Sequence, residues 1–419
     1  MSTADASRAA LRADGETILR KVIRAVLPDE AVRRALAGVQ FPGRVFLVAA
    51  GKAAWQMASV AREVLPTLAG GVVVTKYGHA KGPIDGVACY EGAHPVPDEN
   101  GLRGTEAALA LTEGLRADDT VLFLLSGGGS ALFEQPLLPL GELQDITDQL
   151  LAAGAGIVEI NTVRKRLSRV KGGRFAAHCA PARVFSIVLS DIVGDPLDMI
   201  ASGPACPDRS TCAQALAVVE KYGLRLSPQA RALLAVETPK TLENVTTRIT
   251  GSVRELCAAA AGECRARGYE PFLLTDCLCC EAREAGSFLA SVARTHARAG
   301  KDLAFLAGGE TVVHLRGSGR GGRNQELALA AADGIAGLSN VLIASAGSDG
   351  TDGPTDAAGG IVDGGTAAEM RLRGIDPVRA LADNDSYHAL RSVDSLFITG
   401  PTGTNVNDIS LVLVRSEQL

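Results

Sequence analysis

The sequence predicts an α/β protein of two domains, and three features carry that expectation. From about residue 40 to residue 210, short apolar runs alternate with amphipathic helical stretches, the pattern of an open parallel sheet with helices on both faces. The alternation restarts after the segment Glu237-Thr-Pro239-Lys, so the boundary is expected near residue 240, giving domains of 1–240 and 241–419. A chain of 419 residues, 47% hydrophobic and 21% charged with 47 glycines, is large enough for two buried cores linked by glycine-rich loops.

Composition narrows the function classes. A net charge of −5 gives no global basic field for nucleic acid or an anionic membrane, and 4% aromatic residues leave little for base stacking. No apolar run approaches the roughly 18–20 residues of a membrane span, and the first 16 residues mix acids with arginines and lack an apolar signal-peptide core. A cytoplasmic protein with small-molecule partners is expected; the sequence leaves open whether it forms a homodimer. Nine scattered cysteines do not form a disulfide framework. Cys277 and Cys280 form one C-x₂-C pair with no second pair, so they read as ordinary thiols.

Residues 6–38 predict a helix with Ile18, Val22, Ile23 and Val26 on its apolar positions. Residues 44–50 (RVFLVAA) predict a strand that ends in Gly51-Lys52 before a helix through Val64. Lys52 then sits at a strand's carboxyl end, either as a phosphate ligand or as a surface lysine at a turn. It is not part of a Walker A loop, because the upstream glycine is missing and Ala53 replaces Ser or Thr. Strands are expected at 71–75, 87–90 and 120–125, with the proline-stiffened loop His94-Pro-Val-Pro-Asp98 and a helix over 102–115 between the last two. The run TVLFLL leads straight into Ser126-Gly127-Gly128-Gly129-Ser130, whose amides and hydroxyls suit phosphate binding. Residues 159–177 predict one basic helix, either a solvated face or, through Asn161, Arg164 and Lys165, an anion clamp. A strand over 184–189 ends at Asp191 and Asp195, where α/β ligands bind; capping turns is the alternative role for these aspartates.

In the second half, strands are expected at 245–249, 271–274, 303–307, 341–346, 395–399 and 409–414, and helices at 253–267, 282–299 and 325–332. The segment 308–326 (GGETVVHLRGSGRGGRNQE) matches G-x-G-x-x-G at Gly317, Gly319 and Gly322. It reads as a dinucleotide fingerprint, a kinase-type phosphate loop or a flexible turn. Asp349, Asp352 and Asp356 lie in a glycine-rich loop after a buried strand, as Mg²⁺ ligands or as turn-formers and helix caps.

Together these segments resemble the class II D-glycerate 2-kinase family, whose C-terminal part is the MOFRL domain. The resemblance is carried by HPVPDENG (94–101), LLSGGGSALFEQP (124–136), INTVRKRLSRVKGGR (160–174), SDIVGDPLDMIASGP (190–204), GGRNQELALA (321–330), GSDGTDGPTDAAGG (347–360) and TGPTGTNVNDI (399–409). It departs at Ala93, Ser348, Thr351 and Cys280, and residues 1–40 and 210–300 carry little of it. The resemblance implies an N-terminal Rossmann-like parallel sheet, a C-terminal MOFRL-like α/β domain with a mixed sheet, and an active site in the cleft between them. It implies transfer of the ATP γ-phosphoryl group to the 2-hydroxyl of D-glycerate, with ATP as co-substrate and Mg²⁺ as cofactor. On that reading Lys52 and Arg323 stabilise the transferring group, and Asp191 orients or deprotonates the hydroxyl. Ser126, Gly127, Gly128, Gly129 and Ser130 hold nucleotide phosphates. Asn161, Arg164, Lys165 and Asn324 hold the substrate, while Asp349, Asp352 and Glu310 hold the metal. The glycines of 317–322 become a flexible arm that carries Arg323 and Asn324.

Two other functions compete. An NAD(P)H-dependent hydroxypyruvate reductase would use Gly317–Gly322 as its dinucleotide loop, although that motif should open its domain and be followed by an acid about 20 residues on. A non-catalytic sugar-acid binder would have no need for Lys52, Asp191, Arg323 and an acidic loop all at strand ends.

Overall fold

The computed structural model describes residues 3–416, which form two compact units. The N-terminal unit comprises Pro28–Ser190 and Asp195–Thr250; the C-terminal unit comprises the chain from Gly251 onward, the segment up to Leu27, and Asp191–Gly194.

Six strands build the N-terminal sheet: β1 (Val45–Ala50), β2 (Gly70–Lys76), β3 (Val87–Gly92), β4 (Thr120–Leu125), β5 (Arg183–Val188) and β6 (Val245–Ile249). Their order is β3-β2-β1-β4-β5-β6 and every pairing is parallel. Side chains alternate between the two faces. Leu47, Ala49, Leu122 and Leu124 pack with Met57 and Val60 on one face, and Phe123 meets Phe133 and Phe175 on the other, with ring centroids 4.7–5.5 Å apart. Each such ring buried on both sides stabilises the fold by about 1.5–3 kcal/mol. The strand order reverses direction between β1 and β4, so the crevice at their carboxyl ends is the place where a parallel sheet binds ligands.

The C-terminal sheet is mixed. Its strands are β7 (Glu270–Leu278), β8 (Leu303–Gly309), β9 (Val341–Gly347), β10 (Gly359–Asp363), β11 (Leu396–Phe397) and β12 (Asp408–Val414), in the order β11-β10-β9-β12-β8-β7. β7 and β8 are parallel, whereas β12 runs antiparallel to β8 and β9. Helix Thr3–Ala25 covers one face, where Leu11, Ile18, Leu19 and Val22 join Leu256, Leu306, Leu342 and Leu411 in one core. Tyr269 Oη and Arg415 Nη2 donate to Asp14 Oδ2 at 2.8 and 2.6 Å. Among the described residues, no helix is long and apolar enough to cross a membrane.

The structure corrects four sequence expectations. The helix over 6–38 is two helices, Thr3–Ala25 and Pro28–Leu36, because Pro28 has no N–H to continue the first and suits the first turn of the second. They belong to different units. The segment 245–249 does not open the second domain but pairs with β5 as the sixth strand of the first sheet, so the division falls at Thr250 rather than near 240. The helix over 159–177 is broken into Ile157–Arg164, a 3₁₀ turn Lys165–Leu167 and Arg174–His178. Strand β10 and the helices Leu140–Ala152, Thr366–Leu372, Pro377–Ala382 and Ser386–Arg391 were not expected.

Candidate active site

At the switch point of the N-terminal sheet the ends of β1 and β4 lie side by side. Gly51 has φ +123°, and a Cβ there would fall 2.3 Å from Ser126 Oγ, so only glycine lets the two loops close on each other. Lys52 N donates to Gly127 O at 2.9 Å, and Ala53 N donates to Ser126 Oγ at 3.0 Å. The loop thereby fixes the backbone from which the exposed Lys52 side chain projects. Gly128, at φ +83°, lies flush against His94 and Lys52: a Cβ would sit 3.1 Å from His94 Cδ2 and 3.2 Å from Lys52 Cγ. Among the described residues, none accepts from the amides of Gly127 and Gly128. Burial holds His94 below its usual titration range, and Lys52, Lys76 and His79 reinforce the shift by charge. His79 Nδ1 also contacts Lys52 O at 2.9 Å. Two lysines, Lys52 and Lys76, near a neutral His94 and two free amides make a place suited to an anion.

The expected clamp of Asn161, Arg164 and Lys165 faces inward instead. Asn161 is 2% exposed and accepts from Ser202 Oγ at 2.9 Å; Ser202 in turn contacts Ser130 Oγ at 3.0 Å. Ser202 sits in the left-handed region at φ +61°, which these contacts help to hold. Lys165 Nζ lies between Asp208 at 3.2 Å and Asp198 at 3.3 Å, already neutralised. Arg166 is fully buried against Thr162 O, Ser210 and Glu237. Arg164 Nη2 donates to Ser130 O at 2.9 Å. Apart from the exposed Arg169, the basic run is thus neither a solvated face nor an open clamp, and its buried charges are paired.

In the C-terminal unit an open pocket of about 1000 Å³ is lined by Asp191, Glu310, Arg323, Asp349 and Asp352, with Ile192, Val312, Val313 and Leu315 as its apolar wall. Arg323 makes a bidentate pair with Asp408, Nε to Oδ2 at 2.6 Å and Nη2 to Oδ1 at 3.0 Å, and Nη1 donates to Glu310 at 2.7 Å. Burial would make the guanidinium easier to deprotonate, but Asp408 outweighs it and the net shift is upward. Burial likewise pushes Asp408 up to about 6 against the opposing pull of Arg323. Asn407 Nδ2 bridges Asp191 O at 3.1 Å and Glu310 Oε2 at 3.3 Å. Asn324 is 1% exposed, bonded to Ser345 and Asp352, and does not face the pocket as a substrate ligand.

The glycine-rich segment before Arg323 is neither a phosphate loop nor a flexible arm. Arg316 N and Gly317 N donate to Asn384 Oδ1, Ser318 N to Asp383 Oδ1, Gly319 N to Asp383 O and Arg320 N to Asp385 Oδ1, all within 2.7–3.0 Å. A Cβ at Gly317, Gly319 or Gly321 would lie 2.1–2.4 Å from Asp383, Asp385 or Ser386. None of these glycines has a positive φ; they are glycines because the strap lies flat on 383–386. The amides of residues 316–320 are consumed, those of Gly317 and Gly319 among them, which weakens the physical basis of a dinucleotide fingerprint.

Similarity to other proteins extends over both units. Residues 14–235 match a domain of unknown function (DUF4147) and residues 303–408 match the MOFRL family. A protein of Thermotoga maritima named D-glycerate 2-kinase is 53% identical over 95% of this chain and 97% of its own length. The chain belongs to the class II glycerate kinase family. A crystal structure titled as a Thermotoga maritima glycerate kinase resembles it with a TM-score of 0.93 at 52% identity, covering 97% of this chain and all of that one. A relative from Agrobacterium vitis, 40% identical over 89% of this chain and 87% of its own, bears a name that assigns hydroxypyruvate reduction only provisionally.

For this member of the family the expected Mg²⁺ ligands do not fit a metal held by the protein. Asp352 is 3% exposed and caps helix Arg323–Gly334, accepting from Asn324 N, Gln325 N and Gln325 Nε2 at 2.8–3.2 Å. Burial raises its titration further. Glu310 is committed to Arg323 and Asn407, and Asp349 accepts from Thr351 N and Oγ1 in a local turn. Among the described residues, no group of three or more His, Cys, Asp or Glu side chains is placed to hold a metal. Sequence reading missed His79, His94, Asp408 and Asn407. The HPVPD run marked a stiff loop, yet nothing in it says that its histidine meets Gly128 across the sheet.

Proposed function

We propose that this glycerate kinase family member transfers the γ-phosphoryl group of ATP to the 2-hydroxyl of D-glycerate, giving 2-phosphoglycerate and ADP in the cytoplasm. The observation that carries the reading is the pair of unpartnered amides at Gly127 and Gly128, set beside Lys52 and His94 at the switch point of a parallel sheet. The names of relatives supply the substrate. Phosphoryl transfer asks for positioning and charge neutralisation rather than covalent chemistry, and free amides beside Lys52 and Lys76 support that reading. The loop 126–130 holds phosphate oxygens. The anion-binding role first given to Arg164 and Lys165 passes to Lys52 and Lys76, near the neutral His94. Asp191, which lines the C-terminal pocket, is assigned to orient the hydroxyl and take its proton as the new P–O bond forms and the bond to ADP breaks. Arg323, with two of its N–H groups uncommitted, supplies further positive charge. Any Mg²⁺ enters as the chelate of ATP and so belongs to the substrate.

A coupled assay tests this. D-glycerate should give ADP only with ATP present, and phosphorus NMR should show the 2-phospho isomer. Oxidation of NADH by hydroxypyruvate without phosphorylation of glycerate would reverse the assignment, and binding of glycerate without either reaction would favour a binder.

A further inference from the structure

The buried charge beneath the 126–130 loop has no part in the chemistry just described. Lys171 is fully buried; its Nζ donates to Ser130 O at 2.8 Å and Phe133 O at 3.0 Å, and pairs with Glu134 Oε2 at 3.3 Å. Arg164 adds a second donor to the same Ser130 carbonyl at 2.9 Å and lies 3.7 Å from Glu134. Glu134 is itself fully buried. Two cations and one carboxylate leave an excess positive charge in the interior, a costly arrangement that an apolar core would avoid. Their shared target is a single carbonyl, at the far end of the loop from Gly127, whose own carbonyl accepts from Lys52 N.

We propose that Lys171 is a positioning residue. With Arg164 it draws the Ser130 carbonyl into the core, and so fixes the 126–130 loop and the backbone of Lys52 that rests on it. The inference rests on the reading of Lys52 as a phosphate ligand only for its kinetic consequence; the mechanical part stands alone. The charged groups facing Lys171 are Glu134 and Arg164. Burial brings Lys171 down to about 8, with Glu134 opposing and Arg164 reinforcing the shift, so its charge is lost as pH rises past that value.

The test compares wild type, Lys171→Met and the double variant Lys171→Met/Glu134→Gln, which removes the carboxylate that the single variant leaves underpaired. Hydrogen exchange across 124–133 is measured together with Tm, kcat and the KM values. The expected result is at least tenfold faster exchange at 126–130 and at least a tenfold lower kcat in both variants, with Tm recovering in the double variant. In wild type, raising pH from 7 to 9 should loosen the same amides after correction for intrinsic exchange, and that response should vanish in the variants. A double variant that regains wild-type exchange and kcat along with its Tm would overturn the proposal, as would an unaltered loop in Lys171→Met. If the single variant does not fold, the double variant and the wild-type pH response decide. Failure of the kinase reading would show separately, as wild-type enzyme that makes no phosphoglycerate while the exchange result stands.

Discussion

Two glycine-rich segments look alike in sequence and do opposite things. SGGGS (126–130) follows a buried strand, bends through Gly128 in the left-handed region, and leaves the Gly127 and Gly128 amides without acceptors among the described residues. RGSGRGG (316–322) gives five successive amides to Asp383, Asn384 and Asp385, and uses its glycines to lie flat. Glycine supplies conformation in the first and thinness in the second. Where a loop's amides go separates a ligand loop from a structural strap, and a pattern such as G-x-G-x-x-G does not report that.

The comparison breaks most sharply at Lys52. Lys52→Ala should lower kcat by about 10²–10³, the usual cost of losing a group that stabilises developing charge, with circular dichroism and Tm unchanged because the side chain is exposed. Arg323→Ala should lower kcat as well, but not cleanly. It leaves the buried Asp408 without its bidentate partner, and since the guanidinium is about one-third exposed the stability loss should be roughly 2 kcal/mol, below that of a fully buried pair. Calorimetry beside kinetics distinguishes the two variants.

Alanine in each glycine segment sharpens the contrast. Gly128→Ala sets a methyl against His94 and Lys52 at φ +83° and should lower kcat/KM by about 10-fold or more, with about 1–2 kcal/mol of backbone strain. Gly319→Ala drives a methyl to within 2.4 Å of Asp385 Cβ; it should cost about 1–3 kcal/mol in denaturant melts while turnover per folded molecule stays within twofold. Equal kinetic losses in both would mean that the strap also touches substrate. Asn384→Ala, which strips the acceptor from two strap amides, should cost about 1–3 kcal/mol, again with near-normal kcat.

The smallest effect is one of pH. Lys171 holds its proton less tightly in the folded chain, at about 8, than the ordinary 10.5. Between those values the unfolded state binds more protons, so this group's contribution to stability rises with pH, while the loop it secures loosens. Melting curves and kcat measured from pH 7 to 9.5 should therefore move in opposite directions, and the divergence should be absent in Lys171→Met.

The sequence makes the strands legible where burial on both faces produces unbroken apolar runs, as in TVLFLL and VLIASA, and the open parallel sheet of the first half follows from the alternation of such runs with helices, although the strand order does not. The places of Lys52 and the SGGGS loop, at strand ends, were legible. What stayed hidden depends on contacts distant in sequence. Asp352 reads as a metal ligand until it is found capping helix Arg323–Gly334, and Asn161, Arg164 and Lys165 read as an exposed clamp until Ser202, Glu134 and Asp208 close around them. Polar residues carry no periodicity that says whether their partner is a ligand or another part of the chain.

The helix Thr3–Ala25 has a consequence for biosynthesis. It is made before either sheet, yet its apolar face is buried by Leu342 and Leu411, which are made after the whole N-terminal sheet. While the N-terminal unit completes its own sheet, this amphipathic helix must wait, exposed to chaperones. A gene fragment cut at residue 251 would produce a C-terminal unit with an uncovered core, whereas supplying residues 1–27 as a separate peptide should restore it. Helix complementation, rather than simple domain excision, is the route to studying that unit alone.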